Sequence, residues 1–196
     1  MKPLAQSDLF SHADYEARRP EFRQQIITLK KRRRIEVGPL LTLVFENRET
    51  IKFQIQEMIR VERIFDLQKI QEELDVYNAL LPKSGELSAT LFIAITEDAE
   101  IEPVLDSFQN LDRDQTLGIQ IGNHIVYAEF EEGHSKEDKI SAVHFIRFRP
   151  DSGWIAALND DTQPGVILLS HAVHQSEAKV PHDLKKEWLK DLSGIQ

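Results

Sequence analysis

The chain has 196 residues, of which 41% are hydrophobic and 29% charged, and no cysteine. That balance predicts one globular domain with a real core and argues against disorder. It also excludes disulfides, thiolate metal sites and cysteine catalysis. The formal net charge of -9 is unevenly placed. Residues 1–34 hold nine Lys/Arg against four acids, about +5, and the rest holds fifteen against twenty-nine, about -14.

The first residues, Met1-Lys2-Pro3-Leu4-Ala5, carry neither an apolar run nor a small-residue cleavage site, and no segment is apolar for long enough to span a bilayer. The expectation is a soluble cytoplasmic protein with no membrane role. Leu9–Arg19 predicts a short helix. Pro20, whose missing N–H suits a first turn, predicts a second helix to Arg34 with Phe22, Ile26, Leu29 and Arg33 on one stripe. Gly38-Pro39 ends anything helical, and Leu40–Phe45 is a buried strand.

Asn47 has the chemistry of an N-cap. The helix after it places Ile51, Ile55, Met58 and Phe65 on one face, and a second series, Leu67, Ile70, Leu74, Tyr77 and Leu81, is out of phase with the first. The jump at Phe65-Asp66 predicts two helices, the second capped by Asp66 and stopped by Pro82. Beyond this point strands dominate. Leu87–Thr96 is a strand and Ala99–Leu111 a short helix. Thr116–Ile121 and His124–Glu131 flank the hairpin signal Gly122-Asn123. Ser141–Arg149 alternates as a half-buried strand, Trp154–Leu158 is a short helix, Val166–Ser170 a strand, and Pro181–Leu192 a closing amphipathic helix.

This order predicts an α+β or mixed α/β fold, with helices packed on a largely antiparallel or mixed sheet, the N-terminal half helical and the C-terminal half strand-rich. One domain over 1–196 is expected, divisible into a helical part (1–82) and a strand-rich part (83–196).

Several stretches carry a resemblance: Arg19-Pro20-Glu21-Phe22-Arg23, Leu29-Lys30-Lys31-Arg32-Arg33, Gly38-Pro39, Phe45-Glu46-Asn47-Arg48-Glu49-Thr50, Gln54–Ile64, Glu73, Tyr77-Asn78, Pro82 and Ser141–Phe148. Together they resemble the uncharacterised bacterial family catalogued as domain-of-unknown-function family 3501, over nearly the whole chain. The resemblance implies no activity, cofactor or catalytic residue. It implies an association with redox or peroxide-stress proteins, and a His-Pro pair where this chain has His174-Gln175.

Three candidate sites follow from the residues. The first is the basic tract. On a helix, Arg23, Lys30 and Arg34 share a column with Lys31 beside it and Arg33 nearby, a pattern suited to an acidic protein partner or a small anion. The same cations offset a helix dipole or dock on the chain's own acidic body. The acidic balance and the absence of interleaved aromatics argue against nucleic acid.

The second is the polar cluster Glu46, Asn47, Arg48, Glu49, Gln54, Glu57, Arg60 and Glu62. At about 100° per residue Glu62 falls within the apolar arc, with Gln54 just inside its edge, so a buried carboxylate is expected there, either ion-paired or acting as an acid/base or metal ligand. Arg60 and Arg63 cannot reach that face from the same helix.

The third is histidine: His124, His134 and His144, the spacing Glu131-x-x-His134, and His171-x-x-His174. None is a metal-ligand pattern, and no metal is assigned. Asp112–Leu117 starts like a calcium loop but lacks its glycine and bidentate glutamate. No dinucleotide, phosphate-loop or nucleophile-elbow motif occurs. The expectation is a non-catalytic accessory protein engaging an acidic partner, a redox protein by resemblance. The alternative is a small enzyme using Glu57 or Glu62 with Arg48 or Arg60 and a histidine, with a non-haem metal as an option. No cofactor is specified.

Overall fold

The structure is a computed structural model that describes residues 1–95, 97–113, 115–131 and 140–194. In chain order the described elements are α1 (His12–Arg33), β1 (Arg34–Val37), β2 (Leu41–Phe45), α2 (Arg48–Val61), α3 (Leu67–Asn78), β3 (Leu87–Ile93), α4 (Ile101–Ser107), β4 (Leu117–Ile121), β5 (His124–Phe130), β6 (Val143–Phe148), α5 (Ser152–Asn159), β7 (Gly165–Ser170), β8 (Gln175–Lys179) and α6 (His182–Ser193).

Local chemistry accounts for most boundaries. Ser11 accepts from Asp14 N–H to start α1, Asn47 caps α2 through Thr50 N–H, and Asp66 caps α3 through Gln68 and Lys69 N–H. The predicted break at Pro20 is absent, and α1 runs through it as one helix of 22 residues. The carbonyl that Pro20 cannot bond belongs to Glu16, and both residues are exposed, so no buried polar group is stranded.

Every paired strand in the sheet is antiparallel, in the order β1-β2-β3-β6-β5-β4-β7-β8. This corrects the expected architecture on two counts. The sheet is not a layer with helices laid over it; it curls into a nearly closed barrel. One core takes residues from all around it, including Ile35, Leu43, Leu91, Ile146, Ile119 and Ile167. The N-terminal half is also not simply helical, because α1 passes straight into β1. The two edges come together at the β1–β2 turn, where a Cβ placed on Gly38 would lie 2.4 Å from Ser176 Oγ of β8.

Trp188 of α6 and Trp154 of α5 fill the barrel core, with ring centroids 6.1 Å apart and Phe45 4.8 Å from Trp188. The lumen is thus packed with side chains, as in small barrels. A second core lies outside the wall. The register Val44↔Thr90↔Phe145 places those residues on the outward face. Against that face α2 and α3 bring Ile51, Ile55, Ile59 and Leu74. Burial on both faces is why β2 is apolar almost throughout.

Candidate functional site

The basic tract divides sharply. Arg33 is 0% exposed. Its Nε donates to Phe45 O at 2.7 Å, Nη2 to Glu46 O at 3.1 Å and to Asp191, and Nη1 to Glu187 Oε2 at 3.1 Å. The expected surface role of Arg33 is therefore corrected: every hydrogen bond it makes is internal, joining the end of α1 to β2 and α6. Burial pushes the Asp191 carboxyl up to about 6, outweighing the attraction of Arg33. Burial also opposes ionisation of Glu187, but the bond from Lys190 and the charge of Arg33 together hold its pKa below the usual value.

Arg32 lies 3.5 Å from Glu187, and Arg34 makes an exposed contact with Glu36 at 3.2 Å. Among the described residues no carboxylate stands within ion-pair distance of Arg23, Lys30 or Lys31. Arg23 and Lys31 are exposed and Lys30 is half-buried.

The polar cluster is not one site. Glu46 is buried and accepts from Thr50 Oγ1 and, at 2.7 Å, from Thr90 Oγ1, which ties the start of α2 to the barrel wall. Asn47 is spent on its cap. Arg48 holds the N-terminal segment through Asp8 at 2.7 Å and Lys2 O at 3.2 Å. A backbone bond from Ala5, then Arg48, lowers the Asp8 pKa. Glu49 is exposed and Gln54 half-buried. Glu57 receives a bidentate pair from Arg19 at 2.7 and 2.8 Å and a bond from Tyr15 at 2.7 Å, with Arg60 at 3.4 Å.

Glu62 is exposed, because α2 ends at Val61 and Glu62 is its C-cap. The buried carboxylate expected at Glu62 is at Glu46 instead. The angular plot assumes a helix that continues, and here it does not. Gln56, which the plot did not single out, is buried and accepts from Phe10 N–H at 2.6 Å. Arg147 was also missed. It leans on Glu86 and Glu131 and caps Ala79 O and Leu81 O after α3. Its signal was a cation alternating with apolar residues on a strand.

The histidines are dispersed. His124 is exposed on β5. His144 pairs in register with Leu91 and faces the barrel interior, edge-on to Phe130 at 5.7 Å. His134 and Asp114 lie outside the described residues. Phe108, His171 and His174 cluster, with His174 stacked on the Phe108 ring at 3.9 Å and 5.8 Å from the His171 ring. His174 Nε2 meets Ser107 Oγ at 2.7 Å, beside an open cleft lined by Asp106, Ser107, Asn110 and His171.

Burial, then the neighbouring His171, lowers the His174 pKa. Ser107 gives its single proton to Val104 O at 2.7 Å, so His174 is the donor in the Ser107 contact. That polarity is opposite to the one that activates a serine nucleophile. His171 accepts from Val173 N–H on Nδ1, which places its proton on Nε2 facing Gln109 O at 2.8 Å. Among the described residues no three His, Asp or Glu side chains group as a metal site.

Phe65 and Leu67, expected in apolar helix faces, are each 67% exposed, and neighbouring Val61 is 64% exposed. They crown the α2–α3 corner, where Phe65 separates two clefts. One is apolar, about 270 Å³, floored by Leu9, Phe10, Ile59, Ile64 and Ile70. The other is polar, about 410 Å³, edged by Glu62, Asp66, Glu72 and Glu73 with Arg63 and Lys69.

The fold and surface define an α+β protein built on a curled, fully antiparallel eight-stranded sheet, with a packed interior and its uncommitted chemistry outside. The chain belongs to the family described as "Protein of unknown function (DUF3501)", whose model matches residues 3–192. It is similar to a protein of unknown function from Burkholderia pseudomallei K96243 whose crystal structure is known. The two share 30% sequence identity with a TM-score of 0.89, over 97% of this chain and 100% of that one. No curated protein matches the chain. Among the described residues no helix is long and apolar enough to cross a membrane.

Proposed function

We propose that this chain is a non-catalytic accessory protein that docks an acidic protein surface along the outer face of α1. The observation that carries the proposal is the column Arg23, Lys30 and Lys31, which has no ion-pair partner among the described residues, followed just past the helix end by Arg34, which meets the exposed Glu36. Arg23 and Lys30 lie seven residues apart, about 10 Å along a helix. That spacing suits an extended acidic surface better than one small anion. The filled barrel interior is consistent with a role played on the outside. A redox protein is the partner that family resemblance favours. An enzymatic reading around Glu57 and Glu62 has less support, because Glu57 is held by Arg19 and Tyr15 while Glu62 sits in solvent.

The test compares wild-type protein with the variant R23Q/K30Q/K31Q/R34Q for binding to immobilised poly-L-glutamate at low salt. The expected result is at least about tenfold weaker binding by the variant, with a smaller salt dependence. Equal binding would remove the proposal. Tighter retention on duplex DNA than on poly-L-glutamate, lost in the variant, would replace the acidic protein with nucleic acid.

A further inference from the structure

The crown of the α2–α3 corner stands apart from the basic column and has opposite chemistry. Large apolar side chains on a surface are ordinary when scattered; here Val61, Phe65 and Leu67 lie within seven residues, and Phe65 and Leu67 line an apolar cleft. His12 packs against one side of Phe65, with centroids 5.2 Å apart, and leaves the ring largely in solvent. On the other side Glu62, Asp66, Glu72 and Glu73 face only Arg63 and Lys69, and among the described residues none of the six is ion-paired. Burial raises the Glu73 pKa, and the charges of Glu62 and Glu72 raise it further.

We infer that this corner is a docking surface for a cationic amphipathic segment of another protein. Its apolar residues would pack on Phe65 and Leu67, while its lysines or arginines lie over Glu62, Glu72 and Glu73. The apolar cleft supplies an anchor point and the acidic edge supplies the sign of the partner. A second copy of the chain fits less well, because two molecules of net charge -9 repel. The inference adds a surface to the proposed binding role and does not depend on α1. A protein with both would bridge an acidic and a basic partner.

The probe is a fluorescein-labelled Leu/Lys peptide of roughly 14 residues with leucines on one helical face. Its control has serine in place of leucine and the same charge. By fluorescence anisotropy the wild-type protein is expected to bind the leucine peptide about tenfold more tightly than the serine peptide. F65S and L67S erase that preference. E72Q/E73Q weakens both peptides and flattens the salt dependence. Because Phe65, Leu67 and Glu72 are exposed and Glu73 is only half-buried, circular dichroism should show these variants folded, and R23Q/K30Q/K31Q/R34Q should bind the leucine peptide as wild type does. The inference is overturned if the two peptides bind alike, or if the preference survives F65S and L67S. Sedimentation showing that wild type self-associates without peptide, while F65S does not, would assign the surface to a second copy and overturn it too.

Discussion

At Glu57 the character of the α1–α2 joint is set by one carboxylate. The guanidinium of Arg19 is the main influence, burial opposes it, and the Tyr15 hydroxyl adds to it; together they bring the pKa from 4.5 down to about 2. Between those values the unfolded chain binds a proton that the folded chain does not. The stabilisation is therefore complete above about pH 4.5 and lost as the pH falls toward 2. Because the pair is partly solvated and screened, its worth is about 1 kcal/mol. Urea titrations of wild type and Glu57→Gln are expected to differ by that amount near neutral pH and to converge in acid. A difference independent of pH would mean that the ion pair contributes nothing. The sequence named Glu57 as a candidate without revealing its partner, since Arg19 lies 38 residues away in the chain. Nor could a run of five consecutive cations, Lys30 to Arg34, show that Arg33 alone turns inward. That choice is made by α6, 154 residues later.

Elements with strong local signals were legible. The phase jump at Phe65-Asp66 separates α2 from α3, Asn47 and Asp66 cap them, and Gly122-Asn123 turns β4 into β5. The two strands not anticipated, β1 and β8, are the edges of the sheet. β1 is four residues long with only Ile35 and Val37 turned inward, and β8 reads Gln-Ser-Glu-Ala-Lys, with no large apolar side chain. Such strands exist because a neighbour offers hydrogen bonds, which a periodicity in one segment cannot show. Their seam is testable at Gly38. Its φ of +65° disfavours any side chain, and a Cβ there also meets Ser176. Gly85, with φ of +76° and open space around it, shares only the first cost. Gly85→Ala is expected to destabilise by about 1 kcal/mol and Gly38→Ala by about 2–3 kcal/mol in thermal unfolding. Equal losses would mean that the seam at Ser176 yields freely.

In the whole molecule, the barrel core and the outer helical core meet at the turn from β2 into α2. Arg33 holds the carbonyls of Phe45 and Glu46 there while binding two carboxylates of α6. Removing one partner of a buried ion cluster strands the others. Arg33→Met is therefore expected to cost about 3–5 kcal/mol in urea unfolding, with part of the loss recovered when Glu187→Gln and Asp191→Asn are added. A loss below about 1 kcal/mol would show that the cluster is solvated.

The periodicities and caps that mark most helices and strands act between residues a few positions apart, so the linear order of amino acids suffices to reveal them, along with the family likeness. Closure of the barrel, the burial of Glu46 rather than Glu62, and the exposure of Phe65 and Leu67 depend on which distant segments arrive to cover each face. A residue's own neighbours in the chain carry no record of that, and only the folded arrangement decides it.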